Sequence, residues 1–379
     1  MKRSVILLLT AALTLMTATS VLADATDDLI TKYYQDILDR NPGLPEVGGW
    51  RSEVDRIVTL GIDVKEVFIA LGKLFFNSDE YTLQSKDNSA YLTDLYQTFF
   101  DRLPDQGGFD FWKDLLDQGL ARNVLFNFFA FSDEFRLFME ARLGVSSSSP
   151  ENDLINDHYR GILNRMADTD GFNGWLEMMH DAQCGGAAAV RTLSLQITSG
   201  FLQGPEYALR GRDDVEFLED LYNGILRRGA TLEEFNGWIA LMSQGMTREQ
   251  VLQSFTDSPE FQLRVQEVID AADTDACPIE GSWVGTGVST TPFDFEGDPC
   301  GGFTLNMTVV NNQMTGSGTA GPDTFIVSGS VDTNGTLNGL AEIQGTPVAT
   351  FEGSLTSTSA SGTWQDFFGC RGTWSATKQ

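Results

Sequence analysis

The chain has 379 residues, of which 41% are hydrophobic, 11% aromatic and 21% charged, so it can bury large cores and is not wholly disordered. Its formal net charge of −28 argues against nucleic acid and anionic membrane faces as partners. With four cysteines, no Cys-x-x-Cys pair and two histidines, zinc is a poor reading; an even cysteine count points to disulfides in an exported chain.

The first segment reads as an export signal over residues 1–23. Lys2 and Arg3 precede an apolar run from Val5 to Met16, and Ser20-Val21-Leu22-Ala23 is a small-residue cleavage site. Cleavage would leave Asp24 first. The run is short for a membrane span, and no later stretch holds 18 apolar residues. The expected location is therefore periplasmic or extracellular, without a transmembrane segment after cleavage.

Internal repetition follows, and it is the strongest pattern in the chain. Tyr34 to Arg40, Tyr96 to Arg102, Tyr159 to Arg165 and Tyr222 to Arg228 share one spacing. Each tyrosine is followed sixteen residues later by a tryptophan: Trp50, Trp112, Trp175 and Trp238. Each copy closes on a second signature: Ser78-Asp79-Glu80-Tyr81, Ser132-Asp133-Glu134-Phe135, Gly204-Pro205-Glu206-Tyr207 and Ser258-Pro259-Glu260-Phe261. The distance from tryptophan to the last aromatic is 31, 23, 32 and 23 residues, so long and short modules alternate and the duplicated unit is a pair. This gives two tandem two-module helical domains, 24–144 and 152–272. The Ser-rich stretch 145–151 between them reads as a flexible linker.

Each module is expected to hold about three helices. In the second, Leu92, Leu95, Tyr96, Phe99 and Leu103 fall on one helical face, and Asp105 can cap the next helix, with Phe109, Trp112, Leu115 and Leu116 on its apolar side. Thr231 with Glu234, and Thr247 with Gln250, have capping-box spacing. The repeated tyrosines and tryptophans are read as core, and the repeated arginines as structural partners of carbonyls or carboxylates. Asp168-Thr169-Asp170-Gly171 is only faintly calcium-like, lacking a distal glutamate at loop spacing.

The repeated outline Tyr-x-x-(Ile/Leu/Phe)-(Leu/Phe)-x-Arg, a turn, Trp and a closing Ser-x-Glu-(Phe/Tyr) resembles the family known as domain of unknown function 4214, and more faintly the helical linker domains of phycobilisomes. The second module, with Arg102-Leu103-Pro104-Asp105-Gln106-Gly107-Gly108, resembles it best; the fourth, with Gly229-Ala230-Thr231, least. The likeness covers about 240 residues. It implies exported bacterial proteins that bind or assemble outside the cell, and it carries no catalytic residues.

Composition changes at Cys277. Residues 277–379 hold 17 glycines and 17 threonines, and alternation replaces helical periodicity, as in Phe303, Leu305, Met307 and Val309. Turns at Asn311-Asn312, Gly321-Pro322-Asp323, Thr333-Asn334-Gly335 and Gln344-Gly345 separate about eight strands, near 281–288, 302–310, 313–319, 324–332, 336–343, 347–354, 360–365 and 370–377. Their even spacing suggests a separate all-β, up-and-down barrel, making the chain multidomain α + β. In such a meander the start of the last strand lies near the start of the second, which predicts a Cys300–Cys370 disulfide and leaves Cys184 to pair with Cys277. Gly281-Ser282-Trp283 resembles the opening turn of small lipocalin-like or avidin-like barrels. That resemblance implies an interior either filled by side chains, the expected case, or holding one small ligand.

Nothing in the sequence has the form of a catalytic apparatus. No nucleophile elbow, phosphate loop or His-Glu-x-x-His occurs, and His158 and His180 read as helix-surface residues. The expectation is a non-enzymatic protein without cofactor or metal, acting through its helical repeats as a binding, assembly or adhesion scaffold for a protein or glycan at the cell envelope. The alternative is a small-ligand-binding barrel with the helices as docking region.

Overall fold

A computed structural model describes residues 24–146, 148–272, 279–332 and 335–379. The expected signal segment 1–23 and Cys277 lie outside the described residues. The chain forms two compact units. One is helical and runs to Ala271 without 180–189; the other holds His180–Ala189 and the C-terminal barrel.

In the helical unit each module has four helices, not three. The first has α1 (24–38), α2 (Leu44–Thr59), α3 (Lys65–Phe76) and α4 (Asp79–Leu83). The second has α5 (Asn88–Phe100), α6 (Gln106–Asp117), α7 (Arg122–Ala130) and α8 (Asp133–Leu143). The third has α9 (Pro150–His158), α10 (Thr169–Cys184), α11 (Ala187–Gln203) and α12 (Pro205–Arg210). The fourth has α13 (Asp214–Leu221), α14 (Leu232–Ser243), α15 (Arg248–Thr256) and α16 (Pro259–Asp270).

The extra helix comes from the closing signature. Ser78, Ser132 and Ser258 accept a hydrogen bond from the backbone of Tyr81, Phe135 and Phe261 at 3.1, 3.1 and 3.2 Å, so each starts a new helix, as Ser258-Pro259 reads in the sequence. The capping boxes at Thr231 and Thr247 form as their spacing predicts. Leu103 departs from the predicted apolar face. Asp101, in the left-handed conformation with φ 53°, stops α5 before the stripe reaches Leu103, which is solvent-exposed.

In the third and fourth modules the signature tyrosine opens a π-turn, Tyr159–Leu163 and Tyr222–Leu226. These turns cross at two glycines. A Cβ on Gly161 would lie 2.2 Å from Gly224 Cα, so no side chain fits at this crossing.

Both helical halves belong to one unit. The stretch expected to be a flexible linker is fastened beyond residue 147: Ser149 N donates to Gly61 O at 3.3 Å, and Ser148 Oγ to Asp153 at 3.0 Å.

The barrel closes as β1 (Gly281–Ser289), β2 (Phe303–Val310), β3 (Gln313–Ala320), β4 (Asp323–Val331), β5 (Thr336–Ile343), β6 (Thr346–Leu355), β7 (Ser359–Asp366) and β8 (Arg371–Lys378), with β8 antiparallel to β1. Closure removes the open edges that a sheet of this composition would otherwise expose. Every second residue points inward, giving one apolar interior from Trp283 at the start of β1 to Phe303 at the start of β2. Cys300 and Cys370 are bonded, with Cα atoms 5.7 Å apart.

Candidate functional site

The repeated residues of the helical unit form one recurring cluster. The guanidinium of Arg40, Arg102, Arg165 or Arg228 lies over its own module's tyrosine ring at 4.7, 5.0, 5.0 and 5.3 Å. The same arginines pair with the closing glutamates Glu80, Glu134, Glu206 and Glu260 at 2.6, 2.7, 2.7 and 3.0 Å. Trp50, Trp112, Trp175 and Trp238 are half-buried, against Phe75, Phe128, Phe201 and Phe255 at 6.3, 5.0, 6.4 and 5.4 Å. Tyr34, Tyr96, Tyr159 and Tyr222 are buried. The signature is thus spent on holding each module's ends together. Asp168 accepts from Gly171 N at 2.8 Å and caps α10, a structural use of the faintly calcium-like loop.

Between the halves lies a buried ion network that sequence periodicity does not indicate. Arg160, Glu66 and Asp157 are fully buried. Arg160 pairs with Glu66 and, at 2.5 Å, with Asp157. Arg227 reaches Glu66 and Asp157 at 2.7 and 2.6 Å, and Arg264 also pairs with Asp157. Phe131 has Arg160 and Arg227 each 5.0 Å from its ring centre. These charges tolerate burial because each faces an opposite one. Burial pushes the Asp153 and Glu219 carboxyls up to about 7.

His158 corrects the surface reading. It is fully buried, its Nδ1 lies 3.0 Å from Thr198 Oγ1, and burial pushes its pKa down to about 3. His180 is exposed. Among the described residues, no group of three or more His, Cys, Asp or Glu is placed to hold a metal. No described helix is long and apolar enough to cross a membrane. None of the described cysteines is a free thiol. The expected Cys184–Cys277 pair falls on Cys277, outside the described residues.

Two stretches, residues 73–138 and 198–265, match a family model. It is the Domain of unknown function (DUF4214). The matches run from α3 into α8 and from α11 into α16, so each takes in most of a short module and the end of the long one before it. They include Arg102, Trp112 and Glu134 in one copy and Arg228, Trp238 and Glu260 in the other. The DUF4214 matches leave the barrel uncovered. No curated protein matches the chain.

The barrel carries a largely apolar hollow at one end. At the end where β2 starts and β7 finishes, a cup of about 440 Å³ opens between the strands. Its walls include Phe303, Phe325, Ala349, Phe351 and Trp364. Phe303 is the hub, with Phe325, Phe351 and Trp364 rings at 5.7, 5.5 and 5.5 Å, all edge-on. The Cys300–Cys370 disulfide lies in the wall. Below the cup, Val309, Met314, Val331, Leu337, Leu355 and Trp283 fill the other end. The expected filled interior is therefore realised over one end, while the other is open.

Three carboxylates stand at the cup's lip: Asp323 is exposed, and the other two are turned into their own loops. Asp366 Oδ1 accepts from the backbone N–H of Phe368, Gly369 and Cys370 at 2.9, 2.8 and 2.8 Å. Asp294 Oδ1 accepts from Glu296 and Asp298, both at 2.9 Å. The helical unit also has a groove of about 570 Å³ along Trp50, Leu74 and Met166. Its charged walls, Glu46, Glu53 and Arg165, are already paired with Arg40, Arg56 and Glu206.

Besides the ion network and the burial of His158, sequence reasoning missed two features. The cup depends on which side chains stop short of filling a closed barrel, which strand alternation cannot tell. The second was legible: a leucine stands two residues after the closing aromatic in every module, as Leu83, Leu137, Leu209 and Leu263, and all four are 55–90% exposed.

Proposed function

We propose that the chain is a non-catalytic, exported binding protein whose barrel takes up one small, uncharged, largely apolar molecule. The observation that carries this reading is the aromatic-floored cup. Its volume falls in the range of small-molecule sites, and its walls are largely apolar, with the carboxylates Asp294, Asp323 and Asp366 at the lip. Phe303, Phe325, Phe351 and Trp364 would contact the ligand, and the closed end beneath them limits its length. A cation or anion finds no counter-charge on the cup floor and would lose its hydration there.

The test is energy transfer from tryptophan to a neutral fluorescent probe, N-phenylnaphthylamine, titrated into the full chain. Saturable binding that is lost in Ala349→Phe, which fills the cup, with an unchanged circular dichroism spectrum, supports the reading. Equal binding by both proteins sinks it.

The other reading, a scaffold that uses the helical repeats to bind a protein or glycan at the cell envelope, is favoured by the four exposed leucines at one register. Core packing does not account for an apolar side chain that is repeated and solvent-exposed. Charge-preserving substitution of all four by Ser, followed by sedimentation with envelope material from the source cells, tests it; unchanged co-sedimentation of the variant rejects it.

A further inference from the structure

The cup opens through a rim that is itself apolar. Phe293 and Phe295 on the β1–β2 loop, and Phe367 and Phe368 on the β7–β8 turn, are each more than half exposed. Four exposed phenylalanines on two neighbouring loops are costly in water, since each leaves a large ring area hydrated. The loops are held in place. Phe295 N donates to Phe368 O at 2.9 Å, the Cys300–Cys370 bond joins the β1–β2 loop to the start of β8, and the Phe295 ring lies against Gly369, where a Cβ would meet it at 2.8 Å. The rings are thus presented, not left loose.

Their surroundings narrow what they would meet. The β1–β2 loop carries Asp294, Glu296 and Asp298 and no lysine or arginine, so an anionic surface would repel it. The side chains of Asp294 and Asp366 are engaged with backbone N–H groups of their own turns, so the exposed rings share the rim with the exposed carboxylates of Glu296 and Asp298. Aromatic rings on a rigid loop suit the boundary of a neutral lipid layer. An apolar ligand that fits the cup would be scarce in water and concentrated in such a layer.

We propose that the four phenylalanines are a docking surface for a neutral, zwitterionic lipid layer, from which the cup loads its ligand. The loading step rests on the ligand-binding reading of the cup; docking does not. The experiment is flotation of the full chain with phosphatidylcholine vesicles, alone and with phosphatidylglycerol added. The variant is Phe295→Ser with Phe367→Ser, two rim rings that do not line the cup. N-phenylnaphthylamine binding in vesicle-free buffer is measured in parallel, and sedimentation velocity gives the oligomeric state.

The expected result is flotation with neutral vesicles, less with the anionic mixture, and a loss of about tenfold or more in partitioning for the variant, with probe binding unchanged. Failure of the wild-type chain to float, or equal flotation by both proteins, overturns the docking surface. So does a dimer that the same substitutions dissociate, because the rim would then cover a second copy. Flotation without probe binding keeps the docking surface and removes the ligand reading of the cup; probe binding without flotation does the reverse.

Discussion

The two units bury opposite kinds of residue. The helical unit places a fully buried Arg160, Glu66 and Asp157 between its halves, with His158 beside them, whereas the barrel buries an apolar core and, among its described residues, no charged side chain. The difference follows from their geometry. Helices bury their apolar stripes within modules and between neighbouring ones, as where Tyr33 meets Phe99 and Phe76 meets Phe126, and the polar faces left between the two halves must be matched charge to charge. A closed barrel has only one inside, and alternation fills it with apolar groups. The repeated residues of the helical unit are thus consumed by its own assembly, while the barrel keeps room at one end.

The contrast breaks most sharply at Arg160. Arg160→Met leaves Glu66 and Asp157 short of a buried counter-charge and should cost about 3–5 kcal/mol in the helical unit, with the barrel unaffected. Hydrogen exchange resolved by unit would show it; a loss spread equally over both units contradicts the separation. Cys300→Ser with Cys370→Ser is the converse. It should destabilise the barrel alone by about 2–4 kcal/mol, read as a lower denaturation midpoint for barrel amides. Unchanged barrel protection would mean that the disulfide does not hold the cup's lip.

A third measurement uses pH. The folded-state pKa of His158 lies below its unfolded value, so its contribution is present above about 6.5 and is lost as pH falls toward about 3. Relative to His158→Gln, the wild-type chain should lose about 2 kcal/mol between pH 7 and pH 5. Asp153 and Glu219 act in the opposite sense. Their folded pKa values are raised, so the stability they add is present near pH 4 and lost as pH rises through about 7. Referring each pH to the variant cancels them; a flat difference would place His158 in water. The smallest effect belongs to the repeat signature. Removing the exposed Arg102–Glu134 pair should cost about 0.5 kcal/mol in a double-mutant cycle, and several kcal/mol there would contradict a surface role.

Much of this was legible in the residues. The eight strands lie within one or two positions of where alternation and turn residues put them, and the Cys300–Cys370 bond follows from strand order in a closed meander. The helix caps at Asp105, Thr231 and Thr247 follow from local spacing. Other features were not. Three helices per module became four because Ser78 and Ser132, which close a repeat in sequence, each cap a further helix, as the helix start read at Ser258-Pro259 does in the fourth module. His158 read as surface because a polar residue beside a signature tyrosine gives no sign of which helix will cover it. Leu103 lost its place on the stripe because one left-handed residue, Asp101, ended the helix early.

By itself the sequence determined what is set within a few residues or by strict repetition: helix and strand periods, capping, turn positions, the fourfold module and the order of strands around the barrel. Tertiary structure alone decided which polar faces meet, and hence the burial of Arg160, Glu66, Asp157 and His158. It alone also decided how far the inward side chains fill the barrel, and hence the cup above Phe303. Both depend on the distance between elements far apart in the chain, and period and spacing carry no information about that distance.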